Sequence, residues 1–255
     1  MRLLGQITEQ LPDGDRLVEP FVGSGAVFLN TDFKRYLLTD ANADLINLYQ
    51  VLKSDGENLI DRCRRLFTDR NNTPECYYTL RKRFNATSDI EVRSALFLYL
   101  NRHGYNGLCR YNSSGGFNVP FGRYRRPYFP EAEMRFFAAR AKRATFRHQD
   151  FERTLRAVKP GDVVYADPPY VPLSASANFT AYSAGGFGIG EQENLARLAE
   201  AAARDGIPVL VSNHDTPFTR VAYAGASLSA FAVQRNISCK VLGRGKAREL
   251  LALFN

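Results

Sequence analysis

The apolar run Val163-Val164-Tyr165-Ala166 ends abruptly in Asp167-Pro168-Pro169-Tyr170. Two successive prolines fix φ and remove two backbone donors, so a strand must leave its sheet here in a turn that cannot relax. The turn presents one carboxylate, backbone carbonyls without a competing N–H between them, and an aromatic face. Those parts suit a planar nitrogen heterocycle with an exocyclic amine. The carboxylate and a carbonyl accept the two N–H bonds while the ring stacks on the tyrosine. Standing alone, the tetrapeptide is equally a plain Asp-Pro strand end, so its meaning depends on what accompanies it.

Arg16 to Pro20 reads as a strand, Phe21-Val22-Gly23-Ser24-Gly25 as a turn, and Ala26 to Asn30 as the start of a helix. A second strand, Arg35 to Thr39, ends in Asp40. This is half of a dinucleotide-type βαβ unit, in which Gly23 and Gly25 let a ligand approach the backbone and Asp40 can accept from ribose hydroxyls. No Lys-Ser/Thr follows the glycines, which excludes a P-loop. The rhythm returns late in the chain. Strand Ala144–Arg147 leads to Asp150, Val163–Ala166 leads to Asp167, helix Glu191–Arg204 precedes strand Pro208–Ser212, and helix Phe218–Tyr223 follows. Strands near Ser227–Ala232 and Glu249–Phe254 close a hairpin. Asp40, Asp150 and Asp167 thus fall at strand C-terminal ends, which line the ligand crevice of an open α/β sheet.

Between these halves the pattern is helical from Ala43 to Asn101, loop-rich from Arg102 to Tyr128, and helical again from Pro130 to Ala141. The expected architecture is a three-layer α/β domain, residues 1–53 and 144–255, interrupted over 54–143 by a helical, arginine-rich insertion. Charge is concentrated there. From Arg102 to Arg126 there are five arginines, five tyrosines or phenylalanines and no acidic residue, within a chain of net charge +8. Arginine interleaved with aromatics, asparagine and glycine supplies phosphate contacts, base-edge donors and stacking surfaces together; the bland counterpart is a solvated basic loop. No apolar run approaches the roughly 20 residues that span a bilayer, and the first residues lack a secretory pattern. Cys63, Cys76, Cys109 and Cys239 are scattered, as are the three histidines. Reduced thiols, no metal and a cytoplasmic, nucleoid-associated monomer are expected.

Taken together, these residues resemble the Dam-type DNA adenine methyltransferases over nearly the whole chain. Val18 to Gly25 is similar to the family's cofactor motif, Asp167 to Tyr170 to its catalytic motif, and Leu100 to Asn112 to its base-reading hairpin. Phe117–Tyr124 and Leu173–Tyr182 are also similar to family segments. The resemblance implies a Rossmann-like methyltransferase fold with an inserted target-recognition domain, S-adenosylmethionine as cofactor, and adenine in duplex GATC as substrate. It implies that Glu19, Phe21, Gly23, Gly25, Asp40, Asp150, Phe151 and Asp167 surround the cofactor. Catalysis would rest on Asp167, Pro168, Pro169 and Tyr170, with the base flipped out of the stack. On the DNA side, Tyr105 would wedge into the duplex, Asn106 would sit opposite the vacated space, and Leu108 and Arg110 would read base edges. Arg102, Asn112, Asn118, Arg123 and Arg125 would contact phosphates, and Tyr124 would belong to the DNA-binding set.

The family pattern also carries a Lys-Trp-x-Gly-Gly-Lys-like segment ahead of the first strand. Here Met1-Arg2-Leu3-Leu4-Gly5-Gln6 stands instead, and no lysine precedes Lys34. Cys239 to Gly243 likewise departs from an Asn/Gly-rich family segment, although Arg244, Lys246 and Arg248 keep the charge. The alternative is therefore a catalytically impaired DNA-binding homologue. Methylation of RNA bases or of a protein glutamine would use the same amine geometry, and the basic hairpin disfavours glutamine.

Overall fold

The computed structural model describes residues 2–171, 187–234 and 246–255. The segments Leu173–Tyr182 and Cys239–Arg244 lie outside the described residues. In chain order the elements are α1 (Arg2–Gln10), β1 (Arg16–Glu19), α2 (Ala26–Asn30), β2 (Arg35–Asp40), α3 (Ala43–Leu66), α4 (Pro74–Ala86), α5 (Ile90–His103), α6 (Glu131–Ala141) and β3 (Ala144–His148). They continue with α7 (Phe151–Leu155), β4 (Asp162–Ala166), α8 (Ile189–Arg204), β5 (Val209–His214), α9 (Pro217–Ala222), β6 (Ser227–Gln234) and β7 (Lys246–Phe254). Two helices, α1 and α7, were not expected from sequence; α7 has five residues, too few to show a helical period. The chain forms two compact units, Met1–Ala41 with Arg147–Asn255, and Asn42–Phe146, so the division falls within β3.

The first unit is built on a seven-stranded sheet of order β3-β2-β1-β4-β5-β7-β6. β1 runs parallel to β2 and β4, and β4 parallel to β5. β7 lies antiparallel to both β5 and β6. Every residue of β4 and β5 is buried, which is why β4 reads as a nearly unbroken apolar run and β5 begins as one. Val18, Val164, Ala166, Val209 and Val211 pack on Leu195, Ala196, Ala199 and Ala202 of α8, each large side chain contributing roughly 1.5–3 kcal/mol. Alternation sends Glu19, Tyr165, Ser212 and His214 to the opposite face.

Arg16 and Asp162, partners in the β1–β4 register, form a two-pronged ion pair, Nε to Oδ1 at 2.8 Å and Nη2 to Oδ2 at 2.6 Å. Asp162 is buried. The planar fork fits a carboxylate in one alignment, so the pair fixes that register. It follows that Glu19 ends β1 beside the end of β4, where strand order reverses and open α/β sheets form their crevice.

The second unit is helical. Asn42, Thr73 and Asp89 cap α3, α4 and α5 through their side chains, each cap worth about 1 kcal/mol. α3 kinks at Asp55. Tyr77, Phe84, Leu96, Phe97, Tyr99 and Leu100 are buried between the helices. Between α5 and α6 the chain forms a hairpin marked by the bridges Gly104–Phe121 and Tyr111–Phe117. Among the described residues, no helix is long and apolar enough to cross a membrane, and no cluster of three His, Cys, Asp or Glu is placed to hold a metal.

Candidate functional site

The turn after β1 opens the crevice of the first unit. Gly23 and Gly25 take φ of +47° and +71°, a region glycine enters without steric penalty. Val22 N–H donates to the Thr39 carbonyl at 2.9 Å and Gly23 N–H to Asp40 Oδ2 at 3.1 Å. The tip of β2 thereby fastens the turn, and Asp40 serves the loop directly. Glu19, just before the turn, is 2% exposed and its Oε1 has no hydrogen-bond partner. Burial, with a smaller push from the Asp167 carboxylate and partly offset by a bond from the Phe28 backbone, raises its pKa to about 8. A buried acceptor left open beside a glycine turn suits a cationic ligand group.

β4 delivers Asp167 to the neighbouring position. The residue is exposed at the crevice mouth, while protein atoms crowd its carboxyl group. That desolvation, helped by the Glu249 carboxylate, raises its pKa against hydroxyl bonds from Ser212 and Tyr170. Ser212 Oγ lies 2.7 Å from Asp167 Oδ1 and 3.3 Å from the Ala166 carbonyl. Having one proton, it donates to the closer carboxylate and accepts from Tyr165 at 3.0 Å. The Tyr170 ring meets His214 edge-on at 4.9 Å. With the Tyr170 hydroxyl also on Asp167, a ligand amine must compete with it for the carboxylate.

Behind the turn stands a buried polar network. Gln192 Nε2 donates to the Pro169 carbonyl at 2.7 Å, and Val171 N–H donates to Asn213 Oδ1 at 3.0 Å. Asn213 Nδ2 donates to Gln192 Oε1 and to the Tyr223 hydroxyl, both at 3.0 Å. His214 Nδ1 donates to the Val171 carbonyl at 2.6 Å. Gln192 and Asn213 have no exposed surface, so these bonds set the backbone path of Pro169 to Val171. None of Gln192, Ser212, Asn213 and His214 was singled out from sequence. The available signal was a polar Ser-Asn-His tail on the otherwise apolar strand Val209–Val211.

Phe21 stacks on Phe151 at 5.5 Å, and Phe187, unanticipated, meets them at 5.4 and 5.2 Å. Asp150 accepts from Arg153 N–H at 2.7 Å and so caps α7.

In the second unit the hairpin exposes Tyr105, Leu108, Arg110 and Tyr124, together with Arg102, Arg123 and Arg125. Asn106 and Arg123 are the positive-φ non-glycine residues among those described, at +53° and +55°. Such backbone costs on the order of 1–3 kcal/mol and persists only where its surroundings enforce it. Here the Tyr124 hydroxyl accepts from Asn106 N–H at 2.9 Å, and Tyr105 N–H donates to the Pro120 carbonyl at 2.8 Å. Gly122 permits this: a Cβ there would lie 2.5 Å from the Tyr124 ring. Asn112 accepts from Ser114 and Gly116 N–H groups, closing the hairpin turn. Asn118 is bonded to Arg110, and the Arg102 guanidinium lies 6.0 Å over the Tyr128 ring.

A model of the D12 class N6 adenine-specific DNA methyltransferases matches residues 1–237. The DNA adenine methylase of Vibrio cholerae serotype O1 is 52% identical over 253 residues, covering 99% of this chain and 91% of the relative. That of Escherichia coli K12 is 51% identical over 252 residues, with 99% and 91% covered. The chain belongs to the D12 class of N6 adenine-specific DNA methyltransferases. The expected family and fold hold, and a catalytically impaired DNA-binding homologue finds no support in these matches. Within this D12-class enzyme, the first unit brings Glu19, the glycine turn, Asp40 and Asp167 to one sheet edge, with Phe21 and Phe151 stacked nearby. The open oxygen of Glu19 fits a methyl donor that carries positive charge.

Proposed function

We propose that this enzyme transfers a methyl group from S-adenosylmethionine to the exocyclic amine of adenine in duplex GATC, after flipping the base out of the helix. The observation that carries the reading is Asp167, at the switch point of the sheet, held by Ser212 at 2.7 Å beside the buried Glu19. Glu19, Phe21, Gly23, Gly25, Asp40, Asp150 and Phe151 would hold the cofactor, with the Glu19 carboxylate toward its cationic part. When bound, the cofactor supplies the methyl group as a sulfonium electrophile.

The chain's own task is to make the amine nucleophilic. Its lone pair is delocalised into the purine ring, and two acceptors, Asp167 and the Pro168 carbonyl, favour a pyramidal nitrogen by taking its N–H bonds. Because the network behind Pro169 is fixed before binding, no reorganisation is needed as charge develops. Tyr170 would exchange its hydroxyl bond to Asp167 for stacking on the base. Flipping costs a few kcal/mol, which Tyr105 offsets by filling the gap. Arg110 and Leu108 would read a guanine edge and a thymine methyl, while Arg102, Arg123 and Arg125 neutralise phosphates.

The test is methyl transfer to duplexes with and without GATC. Asp167→Ala should lower turnover by about 10²–10³-fold with DNA affinity retained. Undiminished turnover in that variant, or equal methylation of both duplexes, would sink the reading.

A further inference from the structure

Asn118 sits across the hairpin from Arg110, its N–H donating to the Arg110 carbonyl at 3.0 Å. The side chains meet as well. Arg110 Nε donates to Asn118 Oδ1 at 2.8 Å and Nη2 to the Asn118 carbonyl at 3.3 Å. We propose that Asn118 is a specificity-determining positioning residue, which aims the Arg110 guanidinium at a guanine edge instead of binding a phosphate. The inference rests on the reading of Arg110 as a base reader.

The geometry of the guanidinium decides which donors remain. Its side edge, Nε with Nη2, is occupied by the two Asn118 oxygens. The end edge, Nη1 with Nη2, is left to reach outward, and two parallel N–H groups on that edge match guanine O6 and N7. Asn118 uses its acceptor oxygen on a cation, so its amide is oriented before DNA arrives.

Asn118 can act as a fixed mount because its neighbours are fastened to the helical body. Phe117 is 1% exposed, and Asn85 of α4 bonds both its N–H (2.9 Å) and its carbonyl (3.1 Å). Val119 is fully buried, its carbonyl accepting from the Tyr77 hydroxyl at 3.0 Å and Arg81 Nη1 at 2.9 Å. Arg110, by contrast, is exposed, as are Leu108 and Cys109 before it. A long exposed side chain that must be immobilised on binding loses rotamer freedom, and holding it beforehand removes that loss.

The experiment measures dissociation constants for a GATC duplex and for duplexes with one guanine replaced, over a salt series, with Arg110→Ala, Asn118→Ala and Asn118→Asp. Asn118→Ala should lower the cognate-to-substituted ratio about 3- to 10-fold, at the same guanine that Arg110→Ala affects, with an unchanged salt slope. Asn118→Asp keeps an acceptor for Nε. It should restore the ratio while weakening all duplexes alike through its charge. A uniform loss across all duplexes in Asn118→Ala, with the cognate-to-substituted ratio unchanged, would mark a phosphate contact and overturn the proposal. So would an Asp variant that discriminates no better than the Ala variant. If Arg110→Ala itself leaves the ratio unchanged, the base-reading assignment falls; if only Asn118→Ala does, the positioning role alone falls.

Discussion

The Asp167 corner and the Arg102–Arg126 hairpin are rigid in different ways. Around Asp167, buried donors and acceptors on β5 and α8 hold the backbone from behind, and Gln192 and Asn213 are wholly enclosed. The hairpin is fastened at its root, and its arginines Arg110, Arg123 and Arg125 stand in solvent. A reacting atom must be placed within a fraction of an ångström, and a buried, mutually hydrogen-bonded network does that. Reading a base edge requires instead that a few long side chains be aimed and still free to meet DNA. Changes in the first region should therefore alter stability with pH and the chemical step, and changes in the second should alter affinity.

The largest expected effect concerns Glu19. Its carboxyl binds a proton in the folded state up to pH about 8, whereas the unfolded chain releases it near 4.5. Its contribution is full below pH 4.5 and is lost as pH rises toward 8, roughly 4–5 kcal/mol in total. Glu19→Gln, neutral throughout, should remove that slope in unfolding measurements on the ligand-free protein, while weakening the binding of S-adenosylmethionine. Equal slopes in both proteins would break the assignment.

Next comes the root of the hairpin. Arg93 pairs with the buried Asp44, Nη2 to Oδ2 at 3.1 Å, and Asp44 accepts from the Tyr111 hydroxyl at 2.7 Å. Arg93→Ala leaves that carboxylate without its cation and should cost about 3 kcal/mol, seen as a lowered unfolding midpoint. A loss below about 0.5 kcal/mol, the range of ordinary surface changes, would show the hairpin is anchored elsewhere. Asn213→Ala should slow turnover by about 1–3 kcal/mol of barrier with little change in DNA affinity; the reverse split would erase the contrast between the regions. Smallest, Tyr124→Phe removes the acceptor for Asn106 N–H and should weaken all DNA sequences by about 1 kcal/mol. A change in sequence preference would instead make Tyr124 a reader.

Much of this was legible in the chain itself. Strands buried on both faces appear as unbroken apolar runs, and the prolines after Ala166 left one exit for β4. The family followed from motifs whose order could be checked. Less legible were positions whose role depends on what packs behind them. Gln192 lies in a helix with an ordinary amphipathic pattern, and only the fold shows that its amide reaches Pro169. Asn118 was expected to contact a phosphate, and its link to Arg110 was missed because a bond across a hairpin leaves no periodic trace. The helix α7 escaped for a different reason: five residues carry a cap but no period.

The Arg16–Asp162 pair bears on how the enzyme comes into being. Its partners are 146 positions apart, so the edge carrying Glu19 and Asp167 exists only once the chain has closed around an entire helical unit. Within that unit, Gln50 bonds the Phe146 carbonyl at 3.1 Å and Lys53 the Ala144 carbonyl at 2.6 Å, drawing its exit strand against its entry helix. If the helical unit folds first, the loop left to close shortens to roughly forty residues, which reduces the entropic cost by about 1 kcal/mol. On this route the helical unit and its basic hairpin are finished before the sheet edge that carries Glu19 and Asp167.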